Sequence, residues 1–221
     1  MKNRYGIDIW SDDNFFIEDG VVKVNYKPYP SLIKIVKDVR KQGFKGPLLL
    51  RFPHITKKQV KTLFNTFNAS IKEYDYKGKF NAVFPLKVNQ LPNFIHPLVS
   101  YGKKYNYGLE AGSKAELIIA MTYNNMGSPI TINGFKDKEM IHLCFIAKSM
   151  GHDITVIIEG LNELEMILEV LKETKMEAPN VGLRVRLHSG GSGVWAKSGG
   201  IDSKFGLTST EILEAFELMQ E

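Results

Sequence analysis

Residues 153–188 read DITVIIEGLNELEMILEVLKETKMEAPNVGLRVRLH, and they decide the fold. Asp153–Glu159 is an almost continuous apolar run, as a strand covered on both faces requires. Leu164, Ile167, Leu168 and Leu171 then recur at helical spacing, with Asn162 placed to cap the helix. Val181–His188 is a second β-rich run. Strand, helix, strand at a period of about 25 residues is the unit from which parallel sheets are built.

The same period extends backwards. Phe80–Lys87, Tyr107–Glu110 and Ile130–Asn133 read as further strands, each followed by a helix. Ser113 with Glu116, and Thr208 with Glu211, have the spacing of capping boxes, in which each side chain satisfies the other's free backbone amide. Consecutive βα units without an antiparallel interruption specify an α/β fold, either a barrel or a doubly wound sheet. A (β/α) barrel takes eight units and about 250 residues. About five units are visible, and the last residues, STEILEAFELMQE (209–221), lie in or just after a helix. The expected architecture is therefore an incomplete TIM-like barrel, in a sequence that looks cut short.

Upstream, Tyr5–Trp10 and Val21–Tyr26 read as two short strands. A helix follows, capped by Ser31, with Leu32, Ile35, Val36 and Val39 on one face and Gly43 at its end. PLLLRFP (47–53) is a short strand candidate, and Val60, Leu63, Phe64, Phe67 and Ile71 mark a second helix.

Composition excludes several classes. Of 221 residues, 43% are hydrophobic and 24% charged, which is ordinary for a globular protein. No apolar run approaches the ~18 residues of a membrane span, and the N-terminus has no signal-peptide core. The single cysteine, Cys144, makes neither an intrachain disulfide nor a cysteine-based zinc site. A cytoplasmic location is expected. The net charge of +5 hints weakly at anionic ligands. The lysines of KDVRKQGFK, ITKKQVK and GFKDKE are spread out, however, and read as solvated helix faces. Nucleic-acid binding would need them clustered among exposed aromatics, so no nucleic-acid or membrane partner is expected.

Five residues on three strands stand where chemistry is done in barrels, at or near the C-terminal ends. Lys87 closes the first strand of the repeat. Burial there would desolvate its amine, and a neutral amine adds to carbonyls. A plain surface lysine is the alternative. Glu110 ends the next strand; it either holds a ring or cation or simply favours a helix N-terminus. Arg184, Arg186 and His188 alternate along the fifth strand and so share a face. His188 reads equally well as a structural histidine. The glycine-rich run that follows matches neither a Walker loop nor a dinucleotide fingerprint. It reads as a mobile loop at the functional end, with Trp195 suggesting a lid or interface.

FPLKVNQ (84–90), GLEAGSKAEL (108–117), NGFKDKEM (133–140) and SGGSGVWAKSGGIDSKFGL (189–207) occur in this order. In these segments the chain resembles the fold-type III pyridoxal-phosphate decarboxylases, and among them the bacterial biosynthetic arginine-decarboxylating branch. The likeness covers nearly the whole chain, including YGIDIW and GPLLLRFP. It implies a pyridoxal 5′-phosphate-binding barrel in which Lys87 is the Schiff-base lysine. Glu110, Arg184 and His188 would lie around the cofactor, Ser189, Trp195 and Lys204 would belong to an active-site loop, and Lys204 would lie by the active-site mouth, close to a partner subunit. The implied reaction is decarboxylation of L-arginine to agmatine and carbon dioxide, feeding putrescine and spermidine synthesis. A homo-oligomer, dimeric or a tetramer of dimers, and a magnesium requirement of unknown site are implied in the same way. So is a division into 1–45, strands and a helix that pack with a β-domain, and 46–221, the first part of the (β/α)8 barrel.

The family pattern further asks for a histidine and Gly-Ser pair on the next strand, a later glycine-rich phosphate turn, and a C-terminal β-domain. None occurs in these 221 residues. The isolated chain is accordingly expected to be inactive and poorly stable, because an unclosed barrel exposes an edge. Two rival readings remain: a decarboxylase of diaminopimelate or ornithine, and a non-catalytic single-barrel pyridoxal-phosphate-binding homeostasis protein.

Overall fold

The computed structural model describes residues 6–187 and 205–220. They fall into two compact units that part between Lys61 and Thr62.

In the first unit, α1 (Ile7–Trp10) is a single helical turn, and β1 (Phe15–Glu18) pairs antiparallel with β2 (Val21–Val24). The hairpin turns through Asp19 and Gly20, at φ 52° and 73°. That is the Asp-Gly pair that a tight two-residue turn prefers. The expected strand at Tyr5–Trp10 is therefore replaced. YGIDIW alternates like a strand, but from Gly6 on it finds no ladder partner among the described residues, and Ser11 N closes a helical turn onto Ile7 O at 2.9 Å. PLLLRFP is not a strand either. Leu48, Leu50 and Phe52 are half-buried while Leu49 is exposed, so the segment is extended, but it pairs with no strand among the described residues. Helix α2 (Leu32–Lys41) starts as expected, with Ser31 Oγ accepting from Lys34 N at 3.2 Å. Helix α3 (Pro53–Glu73) runs from this unit into the second; Val60 is buried in its first part, and in its second part Phe64 is buried and Phe67 exposed.

The second unit is built on five parallel strands: β3 (Val83–Pro85), β4 (Gly108–Ala111), β5 (Pro129–Ile132), β6 (Asp153–Ile158) and β7 (Asn180–Leu183). They are hydrogen-bonded in chain order. The crossovers are α4 (Pro92–Gly102), α5 (Lys114–Tyr123), α6 (Lys138–Ser149) and α7 (Leu161–Thr174), and α8 (Ser209–Gln220) follows. Sequential parallel order with one helix per crossover is barrel topology.

Burial alternates along the strands. Leu109, Ala111, Ile130, Ile132, Ile154, Val156 and Ile158 are fully buried against the helices, and the residues between them, Glu110, Thr131, Thr155 and Ile157, are only half-buried. Each fully buried Ile or Leu contributes about 1.5–3 kcal/mol. The strands are thus sealed on the helix side and open on the other, where the candidate site lies. Two of the helix starts differ from expectation. Thr208 and Glu211 make the full reciprocal box, at 2.7 and 3.3 Å. Ser113 Oγ accepts from Glu116 N at 3.3 Å, but Glu116 Oε2 reaches past Ser113 to accept from Gly112 N at 2.7 Å. Asn162 does not cap α7: the helix begins at Leu161, and Glu163 Oε2 accepts from Glu159 N at 2.8 Å. In both cases a buried glutamate one turn into the helix ties down the end of the preceding strand.

Candidate active site

Strand register decides which side chains meet. Pro85 pairs with Glu110, Glu110 with Thr131, Thr131 with Thr155, and Ile157 with Gly182. Side chains two apart share a face. Lys87, Glu110, Thr131, Asn133, Ile157 and Arg184 therefore come to the face opposite the helices, where they line one open cavity of about 480 Å³. Residues nearly 100 apart in the chain are brought together at the C-terminal ends of the strands, where barrel sites form.

Lys87 sits on a 3-10 turn, Leu86–Val88, just past the last ladder pair of β3. The strand stops at Pro85 rather than running to Lys87, and the turn lifts Lys87 out of the sheet. Desolvation of its amine was the expectation; instead Lys87 is exposed. Its position is held from below by fully buried Leu86 and from the side by Gln90, whose Nε2 donates to Glu116 Oε1 at 2.9 Å. Since Glu116 Oε2 also takes Gly112 N, one buried carboxylate joins the turn bearing Lys87 to the strand bearing Glu110. Glu110 itself is half-buried.

Arg184 follows β7. Its Nη1 donates to Glu159 Oε1 at 2.6 Å, and its guanidinium lies 5.4 Å from the Phe205 ring centroid. Arg186 was expected to share this face; instead its Nε donates to Gly206 O at 3.1 Å. Beyond Leu183 the chain leaves the ladder to β6 and makes an isolated parallel bridge, Val185 to Leu207. His188, Ser189, Trp195 and Lys204 lie outside the described residues.

Sequence reasoning missed the polar layer beneath the cavity. Lys136, read as part of a solvated helix face in GFKDKE, is 0% exposed and ion-paired with Glu163 at 3.0 Å. It precedes α6 rather than lying on it, so helical spacing does not apply to it. Thr131, Asn133 and Glu159 were likewise not singled out as site residues. The available signal was positional: each lies on or just past a strand, two residues from a neighbour on the same face. Among the described residues, no group of three or more His, Cys, Asp or Glu side chains converges as a metal site. No described helix is long and apolar enough to cross a membrane.

A cationic amine, a guanidinium and a carboxylate, with amide and hydroxyl groups between them, suit a small ligand bearing both an anionic group and a reactive carbonyl. Comparison with known proteins agrees with this chemistry. The biosynthetic arginine decarboxylase SpeA from Campylobacter jejuni superposes with a TM-score of 0.88 at 57% identity, over 98% of this chain and 34% of that one. The biosynthetic arginine decarboxylases of Bacteroides thetaiotaomicron and Geobacter sp. strain M21 are 39% and 40% identical over 99% and 98% of this chain. The chain spans about 35% of the length of these two curated relatives. A diaminopimelate decarboxylase from M. jannaschi, at 23% identity and a TM-score of 0.69, shares the fold over 95% of this chain and 45% of its own. The model of the pyridoxal-dependent decarboxylase pyridoxal-binding domain matches residues 58–221, and the chain belongs to that family.

Proposed function

We propose that the protein to which this chain belongs decarboxylates L-arginine to agmatine and carbon dioxide with pyridoxal phosphate, and so supplies polyamine synthesis. The observation that carries the proposal is the convergence of Lys87, Glu110 and Arg184 on one cavity at the C-terminal ends of parallel strands. Arginine is favoured over diaminopimelate or ornithine by the relatives of 39–57% identity, which bear arginine decarboxylase names. The diaminopimelate decarboxylase neighbour speaks for the fold alone.

The donor set fits the cofactor. Lys87 supplies an amine for its carbonyl carbon, and Arg184 and Asn133 supply donors for its oxygens. Glu110 supplies an acceptor, and the apolar side chain of Ile157 a surface for its ring. When bound, pyridoxal phosphate supplies the electron sink for the pair left behind as carbon dioxide departs. The chain's own residues orient and hold. Lys87, exposed and free to swing from its turn, carries the amine that accepts and returns protons at the cavity mouth. Glu116 and Gln90 keep that turn in register with Glu110.

In the same reading, magnesium, a homo-oligomer and a cytoplasmic location follow from family resemblance. So do the active-site loop of Ser189, Trp195 and Lys204, the placing of His188 by the cofactor, and the pairing of the N-terminal hairpin with a β-domain. The test is absorbance of the purified protein with pyridoxal phosphate before and after borohydride, with peptide mapping, and carbon dioxide release from arginine, ornithine and diaminopimelate. Trapping on Lys87 with release from arginine alone is the expected result. Absence of a Lys87 adduct in the full-length protein would sink the proposal.

A further inference from the structure

Glu159 directly follows β6 and Arg184 directly follows β7, just past the last ladder pair of the two strands, Ile158 with Leu183. Its side chain is 4% exposed, against 45% for Arg184. A buried carboxylate this close to a half-exposed guanidinium is a fixed anchor for a side chain that would otherwise be free to sweep through solvent.

The anchor is itself held on every side. Glu159 N donates to Glu163 Oε2 at 2.8 Å, and that oxygen pairs with Lys136 Nζ at 3.0 Å. Lys136 Nζ donates to Gly134 O, and Gly134 N donates back to Glu159 Oε1 at 3.4 Å. Gly206 N donates to Glu159 O at 3.1 Å. The bonds close a ring that grips the backbone and the carboxylate of one residue. Gly134 bends at φ 78°, a conformation that favours glycine, and so aims both its N–H and its carbonyl into the ring. Of this set only Arg184 lines the cavity.

Stability does not explain the arrangement, because apolar residues of similar size commonly serve as well as a buried ion pair. Conformation does. Glu159 takes one guanidinium donor on one oxygen, and its Oε2 has no partner among the described residues. This single-point contact leaves the other donors of Arg184 available; among the described residues they make no further hydrogen bond.

We infer that Glu159 is a positioning residue, which the Lys136–Glu163 ring locks in place so that Arg184 presents its remaining donors to the anionic or acceptor group of the ligand in this cavity. The inference rests on the reading of the cavity as the pyridoxal-phosphate site.

Two readouts on the purified protein test it. The first is the rate at which phenylglyoxal modifies Arg184 without cofactor, followed by peptide mass spectrometry. Glu159→Gln, close to isosteric, raises this rate several-fold if the carboxylate holds the guanidinium, and an unchanged rate overturns the inference. The second is the dissociation constant of pyridoxal phosphate in Glu159→Gln, Arg184→Gln and the double variant. Loss of a charge-assisted bond predicts weakening of about tenfold or more in Glu159→Gln, and no further loss when it is added to Arg184→Gln. A full loss in that background means that Glu159 acts by another route, and the inference falls. Should Glu159→Gln fail to fold, Glu159→Asp keeps the charge but is one methylene too short, and is read in the same way. If the unsubstituted protein takes up no pyridoxal phosphate, the cofactor reading fails, and the phenylglyoxal rates alone decide the inference.

Discussion

Replacing Lys136 by methionine tests the polar layer without touching the cavity. Lys136 is 0% exposed and Glu163 5%, with 3.0 Å between the charged atoms. Removing the lysine leaves the Glu163 carboxylate buried against one remaining backbone donor, Glu159 N. Breaking a buried pair from one side costs about 3–5 kcal/mol, which is a large fraction of an ordinary domain's stability. A second substitution, Glu163→Gln, removes the stranded charge but keeps an oxygen for Glu159 N. The double variant therefore recovers most of the loss and ends within about 1–2 kcal/mol of the unsubstituted protein. Urea unfolding followed by circular dichroism, on both single variants and the double, gives the coupling directly. A cost below about 1 kcal/mol for Lys136→Met, or a double variant no better than the single, would refute the claim that the pair is buried and interdependent.

Other outcomes follow from the packing and the charges. A Cβ on Gly108 would stand 1.9 Å from Pro129 O on the neighbouring strand. Gly108→Ala should therefore force β4 and β5 apart and cost at least the 1–3 kcal/mol of an overpacked core, visible as a lowered melting temperature. Cys144 is fully buried, and that burial pushes its thiol up to about 12. It should stay unreactive to Ellman's reagent at pH 8 and react stoichiometrically once urea unfolds the protein; rapid labelling of the native state would contradict its placement. Asp137 caps α6 through Met140 N at 2.8 Å, and Lys114 beside it, then that amide, hold its carboxyl below the ordinary value. A carboxyl lowered on folding stabilises above its unfolded value and loses that effect as the pH falls through the folded one. The melting-temperature gap between the protein and Asp137→Asn should thus be full at neutral pH and close in the acid range below about 4. A gap that stays constant from pH 7 to pH 2 would refute the assignment.

Much of the βα repeat was legible from residues 80–221, because two periodicities report directly on local structure. Burial at every third or fourth residue marks a helix, and apolar runs bounded by turns mark strands. Ser31, Thr208 and Glu211 announced their helix ends for the same reason, since a cap needs only residues a few positions away. Lys87, Glu110 and Arg184 could be singled out because strand ends carry the chemistry in this class of fold, and all three line the same cavity.

What failed depended on partners distant in the chain. YGIDIW and PLLLRFP have strand-like composition, but a strand exists only where a ladder accepts it, and neither finds one among the described residues. Lys136 looked like any other surface lysine, because nothing within a few residues announces that Glu163, on another element, neutralises it. The exposure of Lys87 and the separation of Arg184 from Arg186 turn on where a ladder ends, and neighbouring strands set that by their register. Local sequence therefore determined the βα units, three of the helix caps and the strand-end residues, through interactions that span a turn or a pleat. Tertiary structure alone decided the ion pairs, the exposures and the anchoring of Arg184, because a buried charge is tolerated only where the fold delivers its counter-charge.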